Sequence, residues 1–298
     1  MRHGIATVCM SGSFEAKLDA AANAGFDSVE LFEPDLVQSG LPPAQVRRAA
    51  DELGLSIDLF QPFRDFEAVT PTALARNLER ARATFDLMGQ LGTRTLLVCS
   101  NVSPDAIDDD ALAAEQLHAL ATVAAQHGVR VAYEALAWGR HVSEYDHAWR
   151  IVQTADHPAL GVCLDSFHIL ALGTELDTIA DIPGGKVFFC QLADAPEMSM
   201  DVLEWSRHHR CLPGEGAFDL VNFTARVLAA GYSGPLSLEV FSDALRDTGP
   251  SRVARDAKRS LTALEAAVRV PAFAAAHAYH ENWLTSAERE GDGGHRNG

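Results

Sequence analysis

Three carboxylates and one amide close short apolar runs: Glu134 in VAYE, Asp165 in LGVCLD, Gln191 in VFFCQL and Glu239 in LSLE. Each run has the length of a buried strand, so each oxygen donor stands at the end of a strand that is otherwise apolar. One carboxylate of this kind most often makes a structural salt bridge. Four oxygen donors at the same end of consecutive strands converge on one point instead. Such a set suits a hard divalent cation: Mg2+, Mn2+ or Co2+. Zinc is less favoured, because no cysteine and no evident histidine belongs to the four.

Three residues beyond Asp165 stands His168, in LDSFH. That spacing lets an imidazole swing over the same point, where it can act as a general acid or base near neutral pH. A structural histidine has equal weight from the sequence alone. Of the 12 histidines, His141, His208 and His209 are the other candidates, whereas His127 and His157 fall at helix exits on the opposite face. The basic residues near the same end are Arg64 in QPFRDFE, Arg140 in WGRH, and Arg207 and Arg210 in EWSRHHR. A guanidinium grips a carboxylate through two parallel hydrogen bonds, so an anionic substrate would use at least one of them.

The elements that must position these residues alternate along the chain. Strand-like runs are Ile5–Met10, Ser28–Glu33, Ser56–Gln61, Thr95–Ser100, Arg130–Ala135, Gly161–Asp165, Val187–Leu192 and Leu236–Phe241. Between them lie helical patterns, such as Thr72–Leu91 with Leu74, Leu78, Phe85 and Met88 on one face, and Ala111–Gln126. Gly25, Gly54, Gly92, Gly128 and Gly231 stand before strands, where helices stop. Eight β-then-α units predict a single-domain (β/α)8 barrel over residues 1–270, with a C-terminal extension at 271–298 whose end is a tail. No G-x-G-x-x-G follows the first strand, which disfavours a dinucleotide-binding sheet. Ala193–Gly216 reads as a long functional loop carrying Trp205, Arg207, His208, His209 and Arg210.

Composition narrows the function classes. The formal charge is −17, which disfavours nucleic-acid binding, and 47% of residues are hydrophobic, enough for a sizeable core. No apolar run approaches the ~20 residues of a spanning helix. The start, MRHGIATVCMSG, lacks the long apolar segment of a secretory signal. The five scattered cysteines contain no C-x-x-C and read as buried thiols of a reducing compartment. These features point to a cytoplasmic protein that acts on something small, with no membrane partner. A homo-oligomer is compatible with them.

Taken together, the Glu, Asp, Gln, Glu series, the D-x-x-H and the segment RCLPGEGAFD resemble the xylose-isomerase-like superfamily of metal-dependent barrels. Within it, the runs IATVCMSG, LFQPFRDFE, LVCSNV, YEALAWGRHV, LDSFHIL, QLADAP and GPLSLEVF resemble bacterial 3-dehydroshikimate dehydratases, from about Ile5 to Leu264. The resemblance implies Glu134, Asp165, Gln191 and Glu239 as metal ligands, His168 as acid/base and Arg210 as a substrate contact. Two departures stand out. Gln191 occupies a position where many superfamily members have histidine, and Leu136 stands where some dehydratases carry a second histidine. Several members of that family continue into a dioxygenase-like domain, for which 298 residues leave no room.

The implied reaction is dehydration of 3-dehydroshikimate, a small anion, to protocatechuate (3,4-dihydroxybenzoate). The metal would polarise the C3 ketone, His168 would move the C4 proton through an enolate, and Arg210 or Arg64 would hold the ring carboxylate. The alternative is a metal-dependent keto-sugar isomerase or epimerase, which needs no carboxylate clamp. Phosphodiester cleavage would call for several zinc-binding histidines and a basic face, which this chain does not offer. A binding protein without catalysis fits the acid/base histidine least well.

Overall fold

A computed structural model describes residues 1–269; the extension assigned to 271–298 lies outside the described residues. Eight parallel strands close into a barrel in chain order. They are β1 (His3–Ala6), β2 (Ser28–Phe32), β3 (Ser56–Phe63), β4 (Thr95–Cys99), β5 (Arg130–Glu134), β6 (Leu160–Asp165), β7 (Val187–Leu192) and β8 (Leu236–Leu238). The helices are α1 (Phe14–Ala24), α2 (Glu33–Ser39), α3 (Pro43–Glu52), α4 (Pro71–Leu91), α5 (Asp110–Gln126), α6 (Tyr145–Ala155), α7 (Ser166–Ala171), α8 (Val202–His208), α9 (Leu220–Ala229), α10 (Asp243–Arg246) and α11 (Pro250–Val268). The eightfold alternation is therefore a (β/α)8 barrel, as the sequence predicts.

Local chemistry sets the helix ends. Ser13, Thr70 and Asp109 cap α1, α4 and α5 by accepting backbone N–H groups that have no partner in the first turn. Gly25 and Gly92 end α1 and α4 in the left-handed conformation, which a side chain would strain.

The strands are buried on both faces because helices cover the outside and side chains fill the inside. Two cores result. A large one lies between sheet and helices. A smaller one, with Leu59, Leu97, Cys99, Ala132, Cys163 and Phe189, fills the barrel lumen. Alternation along each strand then places Glu134 two residues above Ala132, Asp165 above Cys163 and Gln191 above Phe189. An apolar layer of the lumen thus lies beneath these three donors.

Most strand ends shift by one or two residues from the sequence reading, and three larger differences bear on the site. β1 ends at Ala6, and Thr7–Cys9 form a 3-10 turn. β8 ends at Leu238, so Glu239 lies just past the strand, where its N–H still bonds to the Leu192 carbonyl. The stretch Ala193–Gly216 is not an open loop: it contains α8 and is pinned by a bridge between Asp194 and Cys211. Asp194 accepts the N–H groups of Ala195, Gly214, Gly216 and Phe218, which folds the PGEG turn around one carboxylate. A Cβ at Gly216 would come within 2.3 Å of that carboxylate.

Glu67 ties the segment after β3 to the ends of β4 and β5. Its Oε1 accepts the Asn101 N–H at 2.7 Å and the Tyr133 hydroxyl at 3.0 Å, while Oε2 is buried without a partner. Burial pushes this carboxyl up from 4.5 to about 7, and the hydrogen bonds offset only part of that rise. Between those values the folded protein keeps a proton that the unfolded chain has released, so Glu67 lowers stability as pH rises through that window. Relative to wild type, Glu67→Gln should gain up to about 3 kcal/mol of unfolding free energy between pH 5 and pH 8. Urea titrations at the two pH values check this; a difference that stays constant would refute it.

Candidate active site

The carboxylates brought to the barrel mouth are deeply buried: Glu134 is 3% exposed, Asp165 2% and Glu239 5%. Ligand-capable atoms of Glu134, Asp165 and His168 lie within 4.8 Å of one another. Asp165 caps α7 through the Phe167 N–H at 2.7 Å, which anchors the helix that carries His168. Ser166 Oγ bonds both the N–H and the carbonyl of Ala193, holding the ends of β6 and β7 together beside it. Cys9 Sγ reaches the Leu238 carbonyl and accepts the Val240 N–H, so the 3-10 turn after β1 holds the backbone on both sides of Glu239.

Arg210 enters this cluster from the segment after α8 and is 1% exposed. Its Nη1 donates to Asp165 Oδ2 at 2.8 Å and to Glu239 Oε2 at 3.1 Å. Nε and Nη2 bond to Ser206, and the guanidinium stacks on Phe167 at 4.5 Å and Phe241 at 5.3 Å. Burial alone would depress this guanidinium, but Asp165 and Glu239 raise it above its ordinary value, so it stays charged. Glu134 makes no ion pair among the described residues. Burial first, then Asp165 and Glu239, push its carboxyl well up against the weaker pull of Arg210, and its Oε1 is buried with no hydrogen-bond partner. Burial likewise raises Glu239, against the pull of Arg210.

The His168 ring is packed edge-on against Trp138 and Phe167. Burial lowers its pKa to about 3, against the pull of Asp165 and with the help of Arg210 and Arg64, so the imidazole is neutral near pH 7. Nδ1 faces the Ala137 N–H at 3.2 Å and Nε2 faces Arg210 Nη2 at 3.3 Å. A neutral ring carries one proton and cannot accept at both nitrogens. Two tautomers therefore compete, one backed by Ala137 with the proton on Nε2, the other backed by Arg210 with Nε2 free. Nε2 also lies 3.6 Å from Asp165 Oδ2.

Gln191 sits beside Asp165 in register, but its amide nitrogen is engaged below, on Glu30. Arg64 makes no ion pair among the described residues, yet its charge reaches His168 and Glu239. Burial, then Arg64 and Arg210, lower the Arg207 guanidinium, which marks a crowd of positive charge at the mouth. The other candidate histidines stand apart: His141 faces Ala106 and Asp108, and His208 pairs with Asp243. His209 bridges backbone to Ser242. His127 and His157 lie at helix exits, as expected, beside Asp86 and His118. A cavity of about 610 Å³ opens at the opposite pole, lined by Arg2, Asp58, Arg94 and Arg130 but by no histidine. The acids and the imidazole meet instead at the carboxyl-terminal pole, where barrels of this kind carry their active sites.

The eight-stranded barrel is shared with many solved structures, and the family is shown by sequence. Residues 18–264 match the family model described as xylose isomerase-like TIM barrel. The chain belongs to that family. Within it, the chain is 53% identical over 270 residues to a Pseudomonas putida protein named 3-dehydroshikimate dehydratase, covering 91% of this chain and 42% of that one. A Neurospora crassa protein of the same name is 29% identical, with 81% of this chain and 85% of that one covered. Among solved structures, a xylose isomerase-like TIM barrel/4-hydroxyphenylpyruvate dioxygenase fusion protein superposes with a TM-score of 0.89 at 53% identity, over 90% of this chain and 43% of the fusion. The chain thus spans less than half the length of the bacterial relative and of the fusion. No helix among the described residues is long and apolar enough to cross a membrane.

Sequence reasoning missed Glu30, Ser206 and Asp194. Glu30 carried a signal, since a carboxylate in the middle of SVELF sits inside a strand that is otherwise apolar. Arg210 is the centre of charge compensation here, which yields a test. Arg210→Met leaves Asp165 and Glu239 buried without a cation and should cost about 3–5 kcal/mol of unfolding free energy in chelator at neutral pH. A loss below about 1 kcal/mol in a urea titration would show that the guanidinium does not hold them.

Proposed function

We propose that the chain is the barrel of a divalent-metal-dependent 3-dehydroshikimate dehydratase, which forms protocatechuate and water. The observation that carries this reading is the 53% identity over 91% of the chain to the Pseudomonas putida dehydratase. The mouth supplies matching chemistry. The donor set is mostly hard oxygen, and the partnerless Oε1 of Glu134 is a buried acceptor of the kind a cation satisfies. Glu134, Asp165, Gln191 and Glu239 would hold Mg2+, Mn2+ or Co2+. Bound there, the cation supplies Lewis-acid polarisation of a substrate oxygen.

The residues of the chain do the rest. Arg64 holds the ring carboxylate, because its guanidinium is uncommitted whereas Nη1 of Arg210 is taken by Asp165 and Glu239. Arg207 adds to the local positive field that draws an anion to an acidic protein. The Nε2-free tautomer of His168 takes the C4 proton, which the adjacent C3 ketone acidifies. The same Nε2–H then passes to the C5 hydroxyl, which leaves as water, and a proton shift from C6 to the C3 oxygen completes the aromatic ring. Trp138, Phe167 and the bulk of the mouth keep bulk water from the imidazole. Five free cysteines fit a cytoplasmic setting.

Metal-stripped protein should convert 3-dehydroshikimate only after Mg2+, Mn2+ or Co2+ is restored, followed by the ultraviolet absorbance of protocatechuate. Turnover of a ketose with none of 3-dehydroshikimate would refute the reading in favour of a sugar isomerase. His168→Ala should lower kcat by about 10²–10⁴ while metal and substrate still bind. Arg64→Ala should raise KM about 30-fold, the loss of ~2 kcal/mol of charge-assisted hydrogen bonding, with kcat little changed.

A further inference from the structure

Glu30 lies on β2, facing the lumen, and is 0% exposed. Nothing in the proposed chemistry uses it. Side-chain donors from three other strands meet on its carboxylate. Gln61 Nε2 of β3 at 3.0 Å and Gln191 Nε2 of β7 at 2.6 Å both donate to Oε2, and Ser237 Oγ of β8 donates to Oε1. β1 contributes space: a Cβ at Gly4 would lie 2.6 Å from the Ser237 hydroxyl. All the donors are neutral, so a buried acid is held here by hydrogen bonds alone, an arrangement with a large desolvation cost.

The arrangement has a consequence for Gln191. A side-chain amide has two ends of similar shape, and only its oxygen can bind a cation. With Nε2 donating to Glu30, the oxygen is the end that Glu30 leaves open, and Oε1 accepts from Cys163 Sγ at 3.3 Å. The flipped amide would set a carbonyl oxygen against a carboxylate oxygen and lose the hydrogen bond. We propose that Glu30 is a positioning residue that selects the amide orientation in which Gln191 serves as a metal ligand. A histidine or a carboxylate in place of Gln191 would need no such selection of oxygen over nitrogen. This inference rests on the metal reading of the mouth and adds the group that makes glutamine usable there.

Two conservative variants separate orientation from the acid group itself. Glu30→Gln keeps the shape without the acid: its amide oxygen can accept from both Gln61 and Gln191 while its nitrogen donates to Ser237 Oγ. Glu30→Asp keeps the acid but falls one methylene short of the donors. Calorimetric titration with Mn2+ should show Glu30→Gln within about threefold of wild type and Glu30→Asp weakened about 10–100-fold, the usual range for losing a partner behind a metal ligand. In a Gln191→Glu background the ligand has two equivalent oxygens, so Glu30→Asp should no longer weaken Mn2+ binding. The reverse order of the two variants would assign Glu30 an electrostatic role and overturn the proposal. Wild-type affinity in both variants would also overturn it. Wild-type protein that takes up no Mn2+, Mg2+ or Co2+ would remove the metal reading and this inference with it, an outcome distinct from unequal variants of a metal-binding protein. Thermal melts by circular dichroism confirm that each variant is folded before titration.

Discussion

Like charges held together in a dry space dominate this molecule. Glu134, Asp165 and Glu239 meet at a barrel mouth from which water is largely excluded, with Glu30 buried in the lumen among the same strands. Carboxylates in such a place drift toward neutrality unless a cation or a set of donors holds them ionised. Arg210 is the internal answer, and the surrounding structure serves it. Phe167 and Phe241 sandwich its guanidinium, Ser206 accepts from Nε and Nη2, and α8 brings it inward from a segment that would otherwise run over the surface. Asp194 folds the turn behind that segment through four backbone N–H groups, so the support reaches from an exposed turn to the charge cluster.

One guanidinium cannot answer four acids, and the shortfall gives the mouth its chemistry. Glu134 is left with a partnerless oxygen, an acceptor of the kind a divalent cation satisfies. The same electrostatics act on the imidazole. His168 stays neutral despite its nearness to Asp165, because burial and the two arginines outweigh the attraction. A neutral ring between two opposed donors can hold its proton on either nitrogen, which is what a group that both takes and returns a proton requires.

The overall charge of −17 opposes the approach of an anion, yet the opposition is weak at close range. At physiological salt the field of distant surface acids decays over about 8 Å, whereas Arg64 and Arg207 act within the mouth itself. An acidic exterior and a basic entrance are therefore compatible in one protein.

The eight strands and their helices were legible in the sequence because short apolar runs and stopping glycines follow directly from a sheet covered on both faces. The placement of Glu134, Asp165, Gln191 and Glu239 at one end of the barrel was legible for a related reason: each is a polar residue that closes or follows an apolar run. Double burial hid the rest. With both faces apolar, nothing in SVELF tells which way Glu30 points, and its partners Gln61, Gln191 and Ser237 stand 31, 161 and 207 residues away. Nor could the spacing of EWSRHHR show that Arg210 turns inward while His208 turns to the surface acid Asp243. Residue types along the chain determined the barrel, its polar end and the kind of chemistry available there. Closure of the barrel decided which donors face each acid, because contacts between strands far apart in sequence exist only once the sheet has closed on itself.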